Sequence, residues 1–252
     1  MLNKIILLAI ATLSASAWAE VTNSLTTGVD YSSGKYGGTS STDILYVPVT
    51  GKMQFDYLYL KLTVPYISIT SAGDAVVRGM GRVRTTNTST KTTTQSGLGD
   101  VVAAAGYTVV ETDALMLDLV GKIKFGTADA AKNLGTGEND YSAQLDAFYT
   151  LNKTTLFATA GYKVVGAPAG ITVNNVVYGT VGASKKLNDK NSAGVMLDAA
   201  QASTALGSDT AELSVFISNK ISSSLKAQVS LLKGFSDGSP DYGGSIMLTG
   251  TL

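Results

Sequence analysis

The residues Leu115 to Phe125, LMLDLVGKIKF, alternate strictly. Leu115, Leu117, Leu119, Gly121, Ile123 and Phe125 share one face of an extended strand, and Met116, Asp118, Val120, Lys122 and Lys124 share the other. Strand side chains point to opposite sides in turn, so one face is apolar and the other charged. Segments of this kind recur along the chain, and twelve strands are expected. They cover about 22–32, 43–53, 57–68, 99–110, 115–126, 140–151, 154–166, 174–187, 192–203, 210–220, 223–234 and 242–252. Leu25, Val29 and Tyr31 on the first, Leu58 to Tyr66 at every second position on the third, and Leu225, Ala227, Val229 and Leu231 on the eleventh form apolar faces. In the second strand the run ILYVPV is apolar on both faces, and its facing stays open.

The connections alternate short and long. Residues 53–56, 111–114, 152–154, 188–191 and 221–224 make tight turns. Residues 33–42, 69–98, 127–139, 167–173, 204–209 and 235–241 make longer links rich in Gly, Ser, Thr and Asp. Such a rhythm belongs to a transmembrane antiparallel up-and-down β-barrel, with short periplasmic turns, longer outer loops and an even strand number. A periplasmic β-sandwich would alternate too, but needs no such rhythm. The last strand runs to Leu252, so closure against the first strand is expected. A terminal aromatic residue is usual there, and Leu252 departs from it.

Residues 1–19 read as a signal peptide. Lys4 supplies the positive start, Ile5 to Leu13 the apolar stretch and Ala17-Trp18-Ala19 a small-x-small cleavage site. That stretch is short of the roughly 20 residues a spanning helix needs. The barrel is then expected over 20–252, in the bacterial outer membrane. Trp18 is the only tryptophan, so any aromatic girdle rests on Tyr and Phe.

Composition removes chemistry. The chain has no Cys and no His. Ser-His-Asp catalysis, Cys-His catalysis and His-ligated metal sites are thereby excluded. A carboxylate-only glycosidase stays formally open, but no catalytic residue, cofactor site or metal site is expected. Lys and Arg total 19, as do Asp and Glu; without Lys4 one acid is in excess. Nothing in that balance suggests nucleic acid. The expected partners are outer-membrane lipid, lipopolysaccharide, an unidentified small solute, and the barrel-assembly machinery acting on the C-terminal strand.

If the apolar faces meet lipid, the opposite faces line the lumen. The expected lining includes Asp30, Lys61, Asp100, Asp118, Lys122, Lys124, Asp146, Lys163, Lys186, Asp198, Glu212 and Lys226. Charges at such depth must face water or one another. They read either as ion pairs bracing the wall or as a lining that filters a solute. Lys122, Lys124 and Lys163 lie toward the outer mouth, with Asp198 and Glu212 further round, so a transverse field is expected. Gly28, Ser142, Thr159, Gly161, Thr180, Gly182 and Ser214 are small and suggest open space. Residues 69–98 form the longest loop and hold every arginine, Arg78, Arg82 and Arg84. Guanidinium groups suit bidentate contact with carboxylate or phosphate. The loop reads as a constriction, a lipopolysaccharide contact or a solvated surface segment.

Four short motifs follow in order: Val64-Pro65-Tyr66, Gly97-Leu98-Gly99-Asp100, Lys124-Phe125-Gly126-Thr127, and Leu134-Gly135-Thr136-Gly137 with Asp140 beyond. This arrangement resembles the outer-membrane barrels of the MetA-pathway of phenol degradation family, mainly over residues 45–150. Members often carry Pro where Gly126 stands. The resemblance implies a channel or transporter for aromatic or other small hydrophobic compounds, and names no catalytic residue. The alternative is a closed structural barrel whose outer loops bind a partner.

Overall fold

A computed structural model of the chain describes residues 21–72, 75–78, 81–84 and 92–252, the two short segments by backbone alone. The signal-peptide reading of 1–19 lies outside the described residues. The strands are β1 (Thr22–Gly34), β2 (Thr42–Gln54), β3 (Leu58–Ala72), β4 (Ala75–Arg78), β5 (Gly81–Arg84), β6 (Thr92–Leu98), β7 (Val101–Glu111), β8 (Leu115–Phe125), β9 (Asp140–Leu151), β10 (Thr154–Val164), β11 (Val176–Lys186), β12 (Asn191–Ala200), β13 (Thr210–Lys220), β14 (Leu225–Gly234) and β15 (Tyr242–Thr251).

All but β4 and β5 join one antiparallel sheet in which successive strands pair, except that β6 and β7 both pair with β3 and not with each other. β6 and β7 run end to end along β3, so the sheet has twelve staves. β1 pairs with β15 from Ser24 opposite Thr251 to Ser33 opposite Tyr242, which closes the barrel. The Leu252 amide donates to the Asn23 carbonyl at 2.8 Å beside that seam. Closure pairs the wall strands on both sides, so their backbone groups are satisfied without water, as lipid demands, while β6 extends past the wall with β3 as its one partner. β4 and β5 form a separate antiparallel ribbon.

The alternation fixes which face meets lipid. Leu119 is 54% exposed while its neighbour Asp118 is 7% exposed. Leu25, Val29 and Tyr31 on β1, Leu58, Leu60, Leu62, Val64 and Tyr66 on β3, and Val229 and Leu231 on β14 are all exposed, as the pattern required. Exposed tyrosines form two levels. Tyr31, Tyr66, Tyr141, Tyr162 and Tyr242 lie toward the long loops, and Tyr57, Tyr107 and Tyr149 toward the short turns. From Tyr141 to Tyr149 along β9, at ~3.4 Å per residue and a tilt near 40°, the separation along the barrel axis is roughly 20 Å. That matches the apolar band of an outer-membrane barrel between its aromatic girdles.

Two expectations change. The stretch 69–98 is not simply a loop. β3 continues to Ala72, and β6 runs back along it from Thr92 opposite Ala72 to Leu98 opposite Tyr66. Thr and Ser side chains alternate there with Ile69 and Gln95, a pattern a strand accepts readily, and Thr70 and Thr94 hydroxyls bond at 2.8 Å. Arg78, Arg82 and Arg84 fall in the β4–β5 ribbon, and their side chains lie outside the described residues.

The second change settles the facing of β2. Leu45 and Val49 point outward, and Ile44 points inward, 6% exposed. The strand is apolar on both faces because both are covered. Lipid meets one, and the interior face packs on a loop.

Candidate functional site: an internal plug and a charged lumen

That loop joins β8 to β9. Residues 126–139 fold into the outer end of the barrel. Ala128 and Leu134 pack with Ile44, Ile67 and Ile69 in one buried cluster, with Tyr46 against it. Leu134 is 2% exposed, and its burial contributes roughly 2 kcal/mol. Local geometry shapes the loop. Asp129 accepts from the amides of Ala131 and Lys132 and caps a single 3-10 turn, Ala130–Lys132, which ends at Asn133 in the left-handed region. Gly137 also has a positive φ, 75°.

The loop is tied down by Asp100, which sits at the joint between β6 and β7. One of its oxygens accepts from the Ala128 amide at 3.0 Å, and the other from Lys124 Nζ at 2.8 Å. Lys124 also lies 3.4 Å from Asp140, whose second oxygen accepts from the Gly166 amide at 2.9 Å. All three side chains are under a tenth exposed. One lysine between two acids, with backbone donors on both, is a buried pair whose remaining lone pairs are partly satisfied. Gly135 lies against it: a Cβ there would sit 2.7 Å from that of Ala128 and 3.0 Å from Asp100 Oδ1. Thr127 completes the joint by accepting from the Val101 amide at 2.9 Å. The motifs Gly97–Asp100, Lys124–Thr127 and Leu134–Gly137 therefore meet in space.

Lower in the barrel the interior carries charged and polar groups. Asp118 on β8 and Asp146 on β9 stand directly opposite each other. Thr108 donates to Asp118 at 2.7 Å and Thr159 to Asp146 at 2.6 Å. Tyr178 donates to Gln144 at 2.9 Å, and Gln144 donates in turn to Asp146 at 2.7 Å. Lys122 lies in the field of Asp146, Lys61 and Lys163. Lys52 lies over the ring of Tyr59, 4.5 Å from its centre, and within the field of Asp118. Further round, Asp198 accepts from Thr180 at 2.5 Å, and Glu212 is its cross-strand partner. Asp30 is inward on β1 opposite Tyr46. Lys186 and Lys226 stand at the short-turn end, apart from this belt.

The strands bearing Lys61 and Asp198, β3 and β12, are half a turn of the barrel apart. The residues expected to line the lumen thus divide into three groups. Asp100 and Lys124 clamp the plug. Asp118, Lys122, Asp146, Lys163, Asp198 and Glu212 form the belt. Lys226 is at the inner mouth.

Three of the small inward residues, Gly28, Gly161 and Gly182, do not leave the space expected of them, because side chains from the adjacent strand lie over them. A Cβ on Gly161 would come within 2.3 Å of the Tyr178 ring, one on Gly182 within 2.3 Å of the Phe157 ring, and one on Gly28 within 2.7 Å of the Met247 sulfur. Tyr59 over Gly106 and Phe216 over Gly194 repeat the arrangement. Glycine at these positions admits an aromatic neighbour, a device that also holds strand register. Only knowledge of which strand faces which, residue by residue, reveals such pairs.

No protein-family model and no curated protein matches the chain. Solved structures do resemble it. An outer-membrane channel from Pseudomonas putida F1 superposes with a TM-score of 0.72 at 12% identity, over 96% of this chain and 98% of that one. The KdgM porin gives 0.57 at 9% identity, over 91% and 99%. The translocator domain of the autotransporter NalP from Neisseria meningitidis gives 0.53 at 10% identity, over 94% and 89%. At these identities the likeness establishes the barrel and its architecture, while the same architecture carries different tasks.

Proposed function

We propose that this barrel is an outer-membrane channel for small molecules whose outer half is narrowed by the inward loop 126–139. The observation that carries the reading is the loop itself, folded inward so that Ala128 and Leu134 bury against Ile44, Ile67 and Ile69 as one apolar pad at the outer end of the barrel. Displacement of the loop would bare Ile44, Ile67 and Ile69 above the charged belt, a surface that suits a solute with an apolar body and a polar head. Aromatic or other small hydrophobic compounds fit that description, as does the family resemblance. The channel and porin among the similar structures agree with it.

In this reading the belt of Asp118, Lys122, Asp146, Lys163, Asp198 and Glu212 orients the polar head, since charges fixed in a low-dielectric wall act strongly on a solute. Arg78, Arg82 and Arg84 give the β4–β5 ribbon three positive charges, of a residue type that suits anionic head groups or lipopolysaccharide phosphates. The interior rings favour the second reading, a closed barrel that works through its outer loops. Planar-bilayer recording of the refolded protein separates the two. Discrete conductance steps that grow when residues 129–137 are replaced by a short Gly-Ser link support the plugged channel. A barrel that stays silent before and after the replacement, and that supports no solute uptake, supports the second reading.

A further inference from the structure

Some interior lysines have acids beside them, as Lys124 has Asp100 and Asp140 and Lys122 has Asp146, while Lys52 faces Lys61 across β2 and β3 with Asp118 also in its field. At the short-turn end lysines gather in greater number. Lys153, Lys186, Lys190, Lys220 and Lys226 line one cavity of about 470 Å³ at the ends of β10 to β15. Asp189, in the turn 187–190, is the acid among its lining residues; it pairs with Lys186 at 3.0 Å and is almost wholly exposed. Among the described residues, no carboxylate lies within ion-pair distance of Lys153, Lys190, Lys220 or Lys226.

Lys220 and Lys226 are direct cross-strand partners on β13 and β14. Both occupy inward positions, in step with Ser218 and Gln228 next to them. Like charges placed opposite each other on one face destabilise a sheet. Neither lysine is needed to keep the face polar, because serine or threonine serves that purpose at Ser218, Ser222 and Thr249 nearby. An anion seated between the ammonium groups removes the repulsion and gives the hydroxyls an acceptor.

We propose that the periplasmic mouth is an oxyanion site, centred between Lys220 and Lys226, for the carboxylate or phosphate group of a small solute. Ammonium groups act as point charges toward such groups, and several of them on one rim raise the local concentration of anions. The site deepens the channel reading by assigning the charge of the solute's head on the periplasmic side. It does not require that the barrel conduct.

Calorimetric titration of the refolded barrel in neutral, lipid-free detergent tests it, with sodium phosphate and sodium succinate as probes against sodium chloride of equal ionic strength. Both probes should bind wild type beyond the chloride blank. Lys220→Gln/Lys226→Gln should weaken binding at least tenfold, while Lys185→Gln, outside the cavity, should leave it within twofold. Lys220→Gln alone should raise the thermal midpoint at low salt, and phosphate should cancel that gain. Equal binding by wild type and the double variant, no heat above the chloride blank, or a lowered midpoint for Lys220→Gln each overturn the site. Protection of Lys226 from an amine-reactive reagent by anionic-lipid bilayers but not by phosphate or succinate also overturns it, in favour of a lipid headgroup. Failure of the titration removes this site alone, because the channel reading is judged by conductance.

Discussion

Lys124 Nζ lies 2.8 Å from Asp100 Oδ2, and the other oxygen of that carboxylate holds the amide of Ala128. One side chain thus connects the wall at β8, the joint between β6 and β7, and the loop folded into the lumen. The bond is buried, so removing either partner strands charge in a dry place.

Lys124→Met should therefore cost about 3–5 kcal/mol of barrel stability. It should also raise single-channel conductance, because Asp100 and Asp140 then repel beneath the loop. Urea titration followed by gel mobility of unboiled samples reads the first effect, and planar bilayers read the second. A stability loss with unchanged conductance places the clamp in the wall alone.

Leu134→Ala leaves the ion pair intact and empties the centre of the apolar pad. A loss of about 2–4 kcal/mol is expected for so buried a leucine. Uptake of an apolar solute into proteoliposomes should change more than conductance of KCl. Equal changes in both would mean that the pad only narrows the path and does not touch the solute.

Gly161→Ala places a methyl group against the Tyr178 ring and should cost about 1–3 kcal/mol. In Tyr178→Ala the ring is absent, and the same substitution should cost little. The coupling in this double-mutant cycle should reach about 1 kcal/mol or more. Additive effects would show that the ring moves aside freely.

Leu119→Arg, near mid-membrane on the lipid face, should cost about 2–4 kcal/mol. Gln228→Arg, on the inward face of β14, should cost under about 1 kcal/mol, since that face meets water or polar groups. Reversible unfolding in lipid vesicles compares them, and equal penalties would mean that the faces are assigned wrongly.

Strand number, order and the lipid face of β8 were legible because one of two alternating faces must meet hydrocarbon, and a period-2 pattern records that choice residue by residue. The same rule was silent for Ile44 to Val49, where lipid covers one side and Leu134 with its neighbours covers the other. The run from Pro65 to Ile69 loses its simple alternation for the same reason.

What the amino-acid sequence determined alone was therefore the barrel: strand rhythm, lipid-facing residues, and the exclusion of histidine and cysteine chemistry. Tertiary structure decided the interior. The meeting of Asp100, Lys124 and Asp140, the entry of residues 126–139 into the lumen, the rings of Tyr178 and Phe157 over Gly161 and Gly182, and the facing of Lys220 toward Lys226 all depend on register between strands and on the path of a loop. Those are set by contacts between residues distant along the chain, and a local pattern of apolar and polar positions does not encode which strand a side chain will face.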